Sequence, residues 1–311
     1  MTIPEQQPAV VSAVIATHHR PKLLRRAVSA VLDQTYAGAI ECIIVFDGTE
    51  PDESLVELAV DAEGPREIIV VRNDRVPGLA GARNTGILAA SGAFIAFCDD
   101  DDRWLPDKLR QQVETFADAR VICSVTGIKV IYGESESLRI PTDTTITLDE
   151  LVRRRVMEAH PSSVTVRRNA LLDEIGLVDE DIPGSYAEDF DWILRAARAG
   201  TISAVQAPLV EVLWGQSLFS RNWQTIIDAI DYLVEKHPEL RESSDGCARL
   251  TGRRAFALAA LGRRRESFSD IRRTFRLSAS EPRSYAAALV ASRLVSAERM
   301  LALAHKRGHG I

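Results

Sequence analysis

The stretch FCDDDDRW, Phe97 to Trp104, sets four carboxylates in a row directly behind the apolar run AFIAFC at 93–98. Carboxylates this close repel and raise one another's pKa. A solvated turn before the helix that Pro106 opens needs one or two acids, not Asp99, Asp100, Asp101 and Asp102 together. Two aspartates spaced by one residue at a strand end project to one side. Hard oxygen ligands of that kind suit Mg²⁺ or Mn²⁺, and a cation there calls for something anionic beyond it. On the cluster by itself, the turn and the cation seat are evenly matched.

The neighbouring elements decide what the acids face. AVVSAVIA at 9–16, IECIIVF at 40–46, REIIVVRN at 66–73 and AFIAFC at 93–98 read as strands. Between them PKLLRRAVSAVLDQ (21–34) places Leu24, Ala27, Val28, Val31 and Leu32 on one helical face, with Pro21 at its start. The stretch around 52–62 is helix-compatible, and AGARNTGILAA (80–90) is a helix. Such alternation predicts βαβ units around a parallel sheet buried on both faces. Ligands of these sheets bind beyond the carboxyl ends of the strands, which brings Thr17–Arg20, Asp47–Thr49 and Asp99–Arg103 together.

Past residue 120 the alternation loosens. RVICSVTGIKVIYG reads as strand and turn, and TLDELVRRRV (147–156) as a helix with Thr147 and Glu150 forming a capping box. SSVTVRR is strand-like, NALLDEIG a short helix closed by Gly176, and AEDFDWILRAARAG (187–200) an amphipathic helix closed by Gly200. From about 221 the chain reads as helices to its end.

Composition bounds the class. An apolar fraction of 46% and a charged fraction of 26% are those of an ordinary globular protein. Cys42, Cys98, Cys123 and Cys247 are scattered singly, the pattern of buried reduced thiols and not of a disulfide framework or zinc site. Residues 1–10 carry no signal-peptide pattern, and no apolar run reaches the ~18–20 residues of a membrane span; a cytoplasmic location is expected. Charge is divided: from residue 241 onward fifteen Lys/Arg face six Asp/Glu, so the net −6 hides a remainder at −15. That basic tail fits a solvated bundle covering a sheet edge or forming a homodimer, or docking at the inner face of an anionic membrane. Nucleic acid is an unfavoured partner, because the site region is acidic and the tail lacks interleaved aromatics.

Taken singly, the other loops are weak signals. ATHHRP (16–21) is a plain strand–helix turn, and Asp47–Gly48 an ordinary turn pair. Glu188–Asp189 reads as N-terminal helix capping, Asp191 and Arg195 as an i,i+4 ion pair, and Trp104 and Trp192 as packing residues.

Their joint order carries more. ATHHRPKLLRRAVSAVLDQTY, ECIIVFDGT, PGLAGARNTGI, GAFIAFCDDDDRWLPDKL and AEDFDWILRAARAG follow one another in a single sequence that resembles the family 2 glycosyltransferases, over roughly 9–215. The resemblance implies an α/β GT-A nucleotide-sugar-binding fold over 1–220, a mostly parallel sheet flanked by helices, with a nucleotide-binding half at about 9–104 and an acceptor half at about 105–220. A C-terminal all-helical extension follows at 221–311.

The resemblance also implies an inverting, metal-dependent transfer of a sugar from a nucleotide-sugar, a UDP-sugar before dTDP- or GDP-sugars, to an acceptor hydroxyl of a glycan, lipid-linked or small-molecule acceptor. Thr17 and His18 would line the base pocket with Arg20 beside them, and Asp47 would bind the nucleobase. Arg83 and Asn84 would lie near the donor diphosphate or sugar. Asp101 would hold Mn²⁺ or Mg²⁺ with Asp99 supporting it, Asp100 would lie on the nucleotide-sugar, and Asp102 would add an outer contact. Asp189 would be the catalytic base, with Glu188 beside it.

Two positions depart from the pattern: His18-His19 stands where Tyr-Asn is common, and Gly215-Gln216 where many members carry a metal-reaching histidine. His160, alone before Pro161, reads as structural in a region that would face the acceptor. Two other classes use similar parts. A sugar nucleotidyltransferase needs a glycine-rich basic loop after strand 1, which ATHHRP lacks, and a non-catalytic nucleotide-sugar-binding module would not need Glu188–Asp189.

Overall fold

A computed structural model describes residues 8–60, 62–214 and 222–306. Among the described residues ten strands run in chain order: β1 Val11–Thr17, β2 Ile40–Phe46, β3 Arg66–Arg72, β4 Phe94–Asp99, β5 Arg103–Trp104, β6 Val121–Tyr132, β7 Ser135–Arg139, β8 Thr145–Ile146, β9 Thr165–Arg167 and β10 Thr201–Leu213. They form one sheet in the order β3-β2-β1-β4-β9-β6-β10-β5, with β7 on β6 and β8 on β10.

The first four strands are parallel, as the βαβ pattern predicts. Thr17 pairs with Phe46 and Ala16 with Asp99, so the three loops expected to meet leave the sheet at one level. β9 is the departure. It enters antiparallel between β4 and β6, and β10 then runs parallel to β6.

Both faces of β1 are buried, which is why its sequence is apolar without alternation. Val11, Ala13 and Ile15 pack with Leu24, Val28 and Val31 of the helix Pro21–Leu32. Val14 points the other way, into a cluster with Ala82 and Ile87 of the helix Leu79–Ala89. Gly86 allows that approach, because a Cβ there would lie 2.3 Å from Val14 Cγ1.

Several local expectations need correction. The stretch around 52–62 forms a 3₁₀ helix over Glu53–Ala59. The helix expected at 147–156 ends at Arg153, since Arg154 is extended. Thr147 Oγ1 does accept from Glu150 N at 3.2 Å, but Glu150 pairs with Arg154 instead of completing the box. NALLDEIG forms a helical turn and a π-turn at Leu171–Ile175, closed by Gly176 at φ 83°. Gly200 closes the helix Glu188–Ala199 in an extended conformation, not a left-handed one. Its value is space: a Cβ would lie 3.0 Å from three atoms of Ile122.

Of the tail helices, Trp223–Lys236 and Ser244–Ala260 dock on the main core, and Arg264–Leu277, Pro282–Ala291 and Ala297–Lys306 pack on Ser244–Ala260 and one another. Leu250, Ala257 and Leu258 join the main core with Ile226, Ile227 and Ile230. Phe256 and Ala259, on the other side of the same helix, build a small core with Ile271, Ala287 and Val290. Among the described residues no helix is long and apolar enough to cross a membrane. All four cysteines are free and buried.

Candidate active site

The acidic run begins at the last residue of β4 and turns back at once, with Asp102 N donating to Asp99 O at 3.1 Å. Ser162 fixes the turn from the opposite side: its hydroxyl donates to Asp102 Oδ2 and accepts from Asp99 N at 2.9 Å. Leu213 N donates to Asp102 Oδ1 at 3.2 Å, and Trp104 Nε1 to Ser162 O at 2.9 Å. Asp102 is therefore buried with both oxygens engaged. Burial, then the charges of Asp99 and Asp101, hold its carboxyl far above the ordinary range.

Because β1 lies beside β4, Thr17 and Arg20 face the same run. Thr17 Oγ1 donates to Asp100 Oδ2 at 2.8 Å. Arg20 Nη1 lies 3.2 Å from Asp100 Oδ1 and 2.6 Å from Asp101 Oδ2. Burial lifts Asp101 to about 6, reinforced by Asp99 and opposed by Arg20. Asp47 closes the neighbouring loop: its carboxylate accepts from Asn73 Nδ2 at 2.7 Å and from Gly78 N at 3.0 Å. His18 is exposed, with Nδ1 2.7 Å from Asp47 O.

Arg83 joins the two sides of the site. Buried on the helix Leu79–Ala89, it donates to Asp99 Oδ1 at 2.6 Å and to Glu188 Oε1 at the head of the helix Glu188–Ala199. Burial pushes Asp99 upward, but Arg83, His160 and Arg20 outweigh it and carry the carboxyl below its usual range. Burial lifts Glu188, with Asp189 and Asp99 adding to the rise and Arg83 opposing it. Asp189 lines a small cavity with Arg83, Phe97, Ala159, Pro161 and Trp192. That helix begins from Ala187 in the left-handed region at φ 62°, which supplies no side-chain cap, and Asp189 Oδ1 accepts from Phe190 N at 2.9 Å.

Acid exceeds base here. At the end of β4, Asp99, Asp100, Asp101 and Asp102 stand against two guanidiniums, Arg20 and Arg83. The excess, offered by hard oxygen donors, fits a divalent cation. Asp99, Asp102 and His160 each offer a ligand atom, all within 4.8 Å of one another. Asp101, the ligand implied by the resemblance, lies against Arg20.

The other expected residues have definite places. Asn84 spends its amide on Val178 and Glu180: Nδ2 donates to Val178 O at 2.8 Å and Glu180 Oε1 at 2.6 Å, while Oδ1 accepts from Val178 N at 2.8 Å. Asp191 meets Arg195 at 2.9 Å as an i,i+4 pair, and also His237 and Lys236. Trp104 and Trp192 are buried. Gly215 and Gln216 lie outside the described residues. Sequence reading missed Ser162 and undervalued His160. Both arrive with the antiparallel β9, and nothing in EAHPSS signals that insertion.

Glycosyl transferase family 2 matches residues 12–174. An uncharacterized glycosyltransferase of Bacillus subtilis, YwdF, is 31% identical over 73% of this chain and 84% of its own length. WfgD of Escherichia coli, named as a UDP-Glc:alpha-D-GlcNAc-diphosphoundecaprenol beta-1,3-glucosyltransferase, is 26% identical over 65% of this chain and 75% of its own. Among solved structures, residues 1–349 of S. aureus TarS with UDP-GlcNAc align at TM-score 0.61 and 14% identity over 96% of this chain and 92% of that one. The mannosyltransferase PcManGT from Pyrobaculum calidifontis, with GDP-Man and Mn²⁺, aligns at TM-score 0.54 and 16% identity over 93% and 81%. The structural likenesses establish the GT-A-like fold, and the sequence matches establish the rest: this chain belongs to glycosyl transferase family 2 and is a glycosyltransferase.

Proposed function

We propose that the protein is an inverting, metal-assisted transferase that moves a sugar from a UDP-sugar to an acceptor hydroxyl. The observation that carries this reading is the chain Asp99–Arg83–Glu188, which couples the acidic end of β4 to the acids that open the helix Glu188–Ala199. A donor lies across the ends of β1, β2 and β4, with its base near His18 and Asp47 and its diphosphate toward Asp101. Asp101, with Asp99 supporting it, would hold the cation, because Asp102 already has both oxygens engaged by Ser162 and Leu213. When bound, Mn²⁺ or Mg²⁺ stabilises negative charge developing on the leaving diphosphate. Asp189 takes the proton of the acceptor hydroxyl, which attacks the anomeric carbon from the side opposite the diphosphate.

Support for a UDP-sugar comes from the donors named for WfgD and for the TarS complex. Mn²⁺ with GDP-Man in PcManGT supports the cation and keeps a GDP-sugar as the second donor to test. The acceptor named for WfgD favours a lipid-linked glycan. The test is donor turnover with UDP-glucose and UDP-N-acetylglucosamine, in Mn²⁺ and in EDTA. Cation-dependent turnover that Asp189→Asn abolishes supports the reading. Equal turnover in EDTA, or an unimpaired Asp189→Asn, refutes it.

A further inference from the structure

The net positive charge of the tail is not spread evenly. Arg249 and Arg253, four residues apart on the helix Ser244–Ala260, lie over two aromatic rings of the site. The Arg249 guanidinium carbon is 5.0 Å from the centre of the Phe190 ring, and that of Arg253 is 5.1 Å from the Tyr186 ring. Tyr186 and Phe190 bracket Glu188–Asp189 in the chain. Arg283, at the start of the helix Pro282–Ala291, has its Cβ 3.3 Å from where a Cβ on Gly252 would lie, and Arg155, in the open loop after Arg153, is within electrostatic reach of Arg249, Arg253 and Arg283.

These cations are poorly matched by acid. Glu281 accepts from Arg283 Nη1 at 2.7 Å. Arg249 Nε and Nη2, Arg283 Nε and the Tyr186 hydroxyl are buried, with no hydrogen-bond partner among the described residues. Burial, then the positive charges of Arg283, Arg155 and Arg253, push Arg249 down to about 9. Arg155 feels Arg253 and Arg283 as like charges and Asp189 as an opposite one. Burying unpaired guanidinium nitrogens is costly, and stacking on a ring offsets part of that cost. A phosphoryl group would offset the rest, because its oxygens accept from several planar guanidinium forks at once.

We infer that Arg155, Arg249, Arg253 and Arg283 form a phosphate-binding subsite for the acceptor, which holds a phosphorylated sugar so that its hydroxyl meets Asp189. The inference rests on Asp189 marking the acceptor side, as proposed above. It adds the acceptor's chemical class: a sugar carrying a phosphate or diphosphate close to the hydroxyl that reacts. The group's described contacts are with Tyr186, Phe190 and Glu281, at the acceptor helix and the tail, and not with the loops after β1, β2 and β4.

The test is a thermal-shift series on the full chain in EDTA without donor. N-acetylglucosamine 1-phosphate stands for a soluble phosphorylated acceptor, farnesyl diphosphate for a lipid-linked one, and N-acetylglucosamine for the neutral control. At least one phosphorylated probe raises the melting temperature, and the neutral sugar leaves it unchanged. Tenfold tighter binding of farnesyl diphosphate assigns a lipid carrier, and equal or weaker binding a soluble acceptor; both agree with the subsite. Arg249→Gln and Arg253→Gln each weaken the effective probe at least tenfold, while melting no lower than the parent without ligand. Arg155→Gln, in an open loop, repeats the measurement where folding is not at stake. No shift in the parent chain, or a shift that survives all three substitutions, overturns the subsite. UDP binding in Mn²⁺, measured on the same samples, stays within twofold; its failure would count against the transferase reading instead.

Discussion

Arg83 Nη2 lies 2.6 Å from Asp99 Oδ1, so a helix side chain locks the last residue of β4 in place. The same guanidinium reaches Glu188, and all three groups are shielded from water to differing degrees: Arg83 and Glu188 side chains are each 5% exposed and Asp99 25%. Removing one partner of such a pair leaves charge buried without compensation, which costs about 3–5 kcal/mol. Arg83→Ala should lower stability by about that amount in urea denaturation. Arg83→Lys should recover only part of it, because an ammonium cannot hold both carboxylates in the planar fork.

Asp189 is accessible through the cavity it shares with Trp192 and Phe97, and is not consumed by an ion pair in the way Glu188 is. A positioned general base contributes typically 10²–10⁴-fold. Asp189→Asn should therefore reduce kcat for transfer by about 10²–10⁴, with the donor KM nearly unchanged. A drop in donor affinity with kcat intact would assign Asp189 to donor binding.

The two readings of the acidic run separate by mutation. Asp101→Ala should weaken Mn²⁺-dependent UDP binding at least tenfold, while the metal-free protein melts no lower. Asp102→Ala should instead destabilise the fold, since Ser162 and Leu213 N lose a buried acceptor. Calorimetric titration and thermal melts on both variants check this. If Asp102→Ala removes the cation and Asp101→Ala does not, the ligand set is Asp99, Asp102 and His160.

Away from the site, Asp191 is buried among Arg195, Lys236 and His237. Burial opposes its charge, but hydrogen bonds from His237 and Lys236 and the charge of Arg195 carry its carboxyl far below the ordinary range. A carboxyl depressed in the folded state stabilises the fold above its unfolded pKa of ~3.9, and that stability fades as pH falls below it. Asp191→Asn should lower the melting temperature at pH 7 and flatten its decline between about pH 5 and 2. Parallel melting curves for parent and variant across that window would contradict the assignment.

What could be read in advance follows from the range of the physics involved. The run AVVSAVIA declares β1 because both its faces are covered, and Leu24, Val28 and Val31 declare their helix by period. The meeting of Thr17, Asp47 and Asp99 follows from the parallel connection rule. Ser162 and His160 could not be placed, since β9 has three residues and its antiparallel partner in β4 is 69 to 73 positions away in sequence. Arg249 was legible as part of a basic tail, but its seat on Phe190 depends on how the helix Ser244–Ala260 docks. Asn84 shows the limit of a motif: its amide clamps Val178 and Glu180, a contact 94 to 96 residues distant.

The most direct test of the central claim is calorimetric titration of UDP into the full chain in Mn²⁺ and in EDTA. The account predicts saturable binding in Mn²⁺ that weakens at least tenfold in EDTA and in the Asp101→Ala variant. Binding of equal strength in Mn²⁺ and EDTA, or none in either, would contradict a cation-held diphosphate at the end of β4.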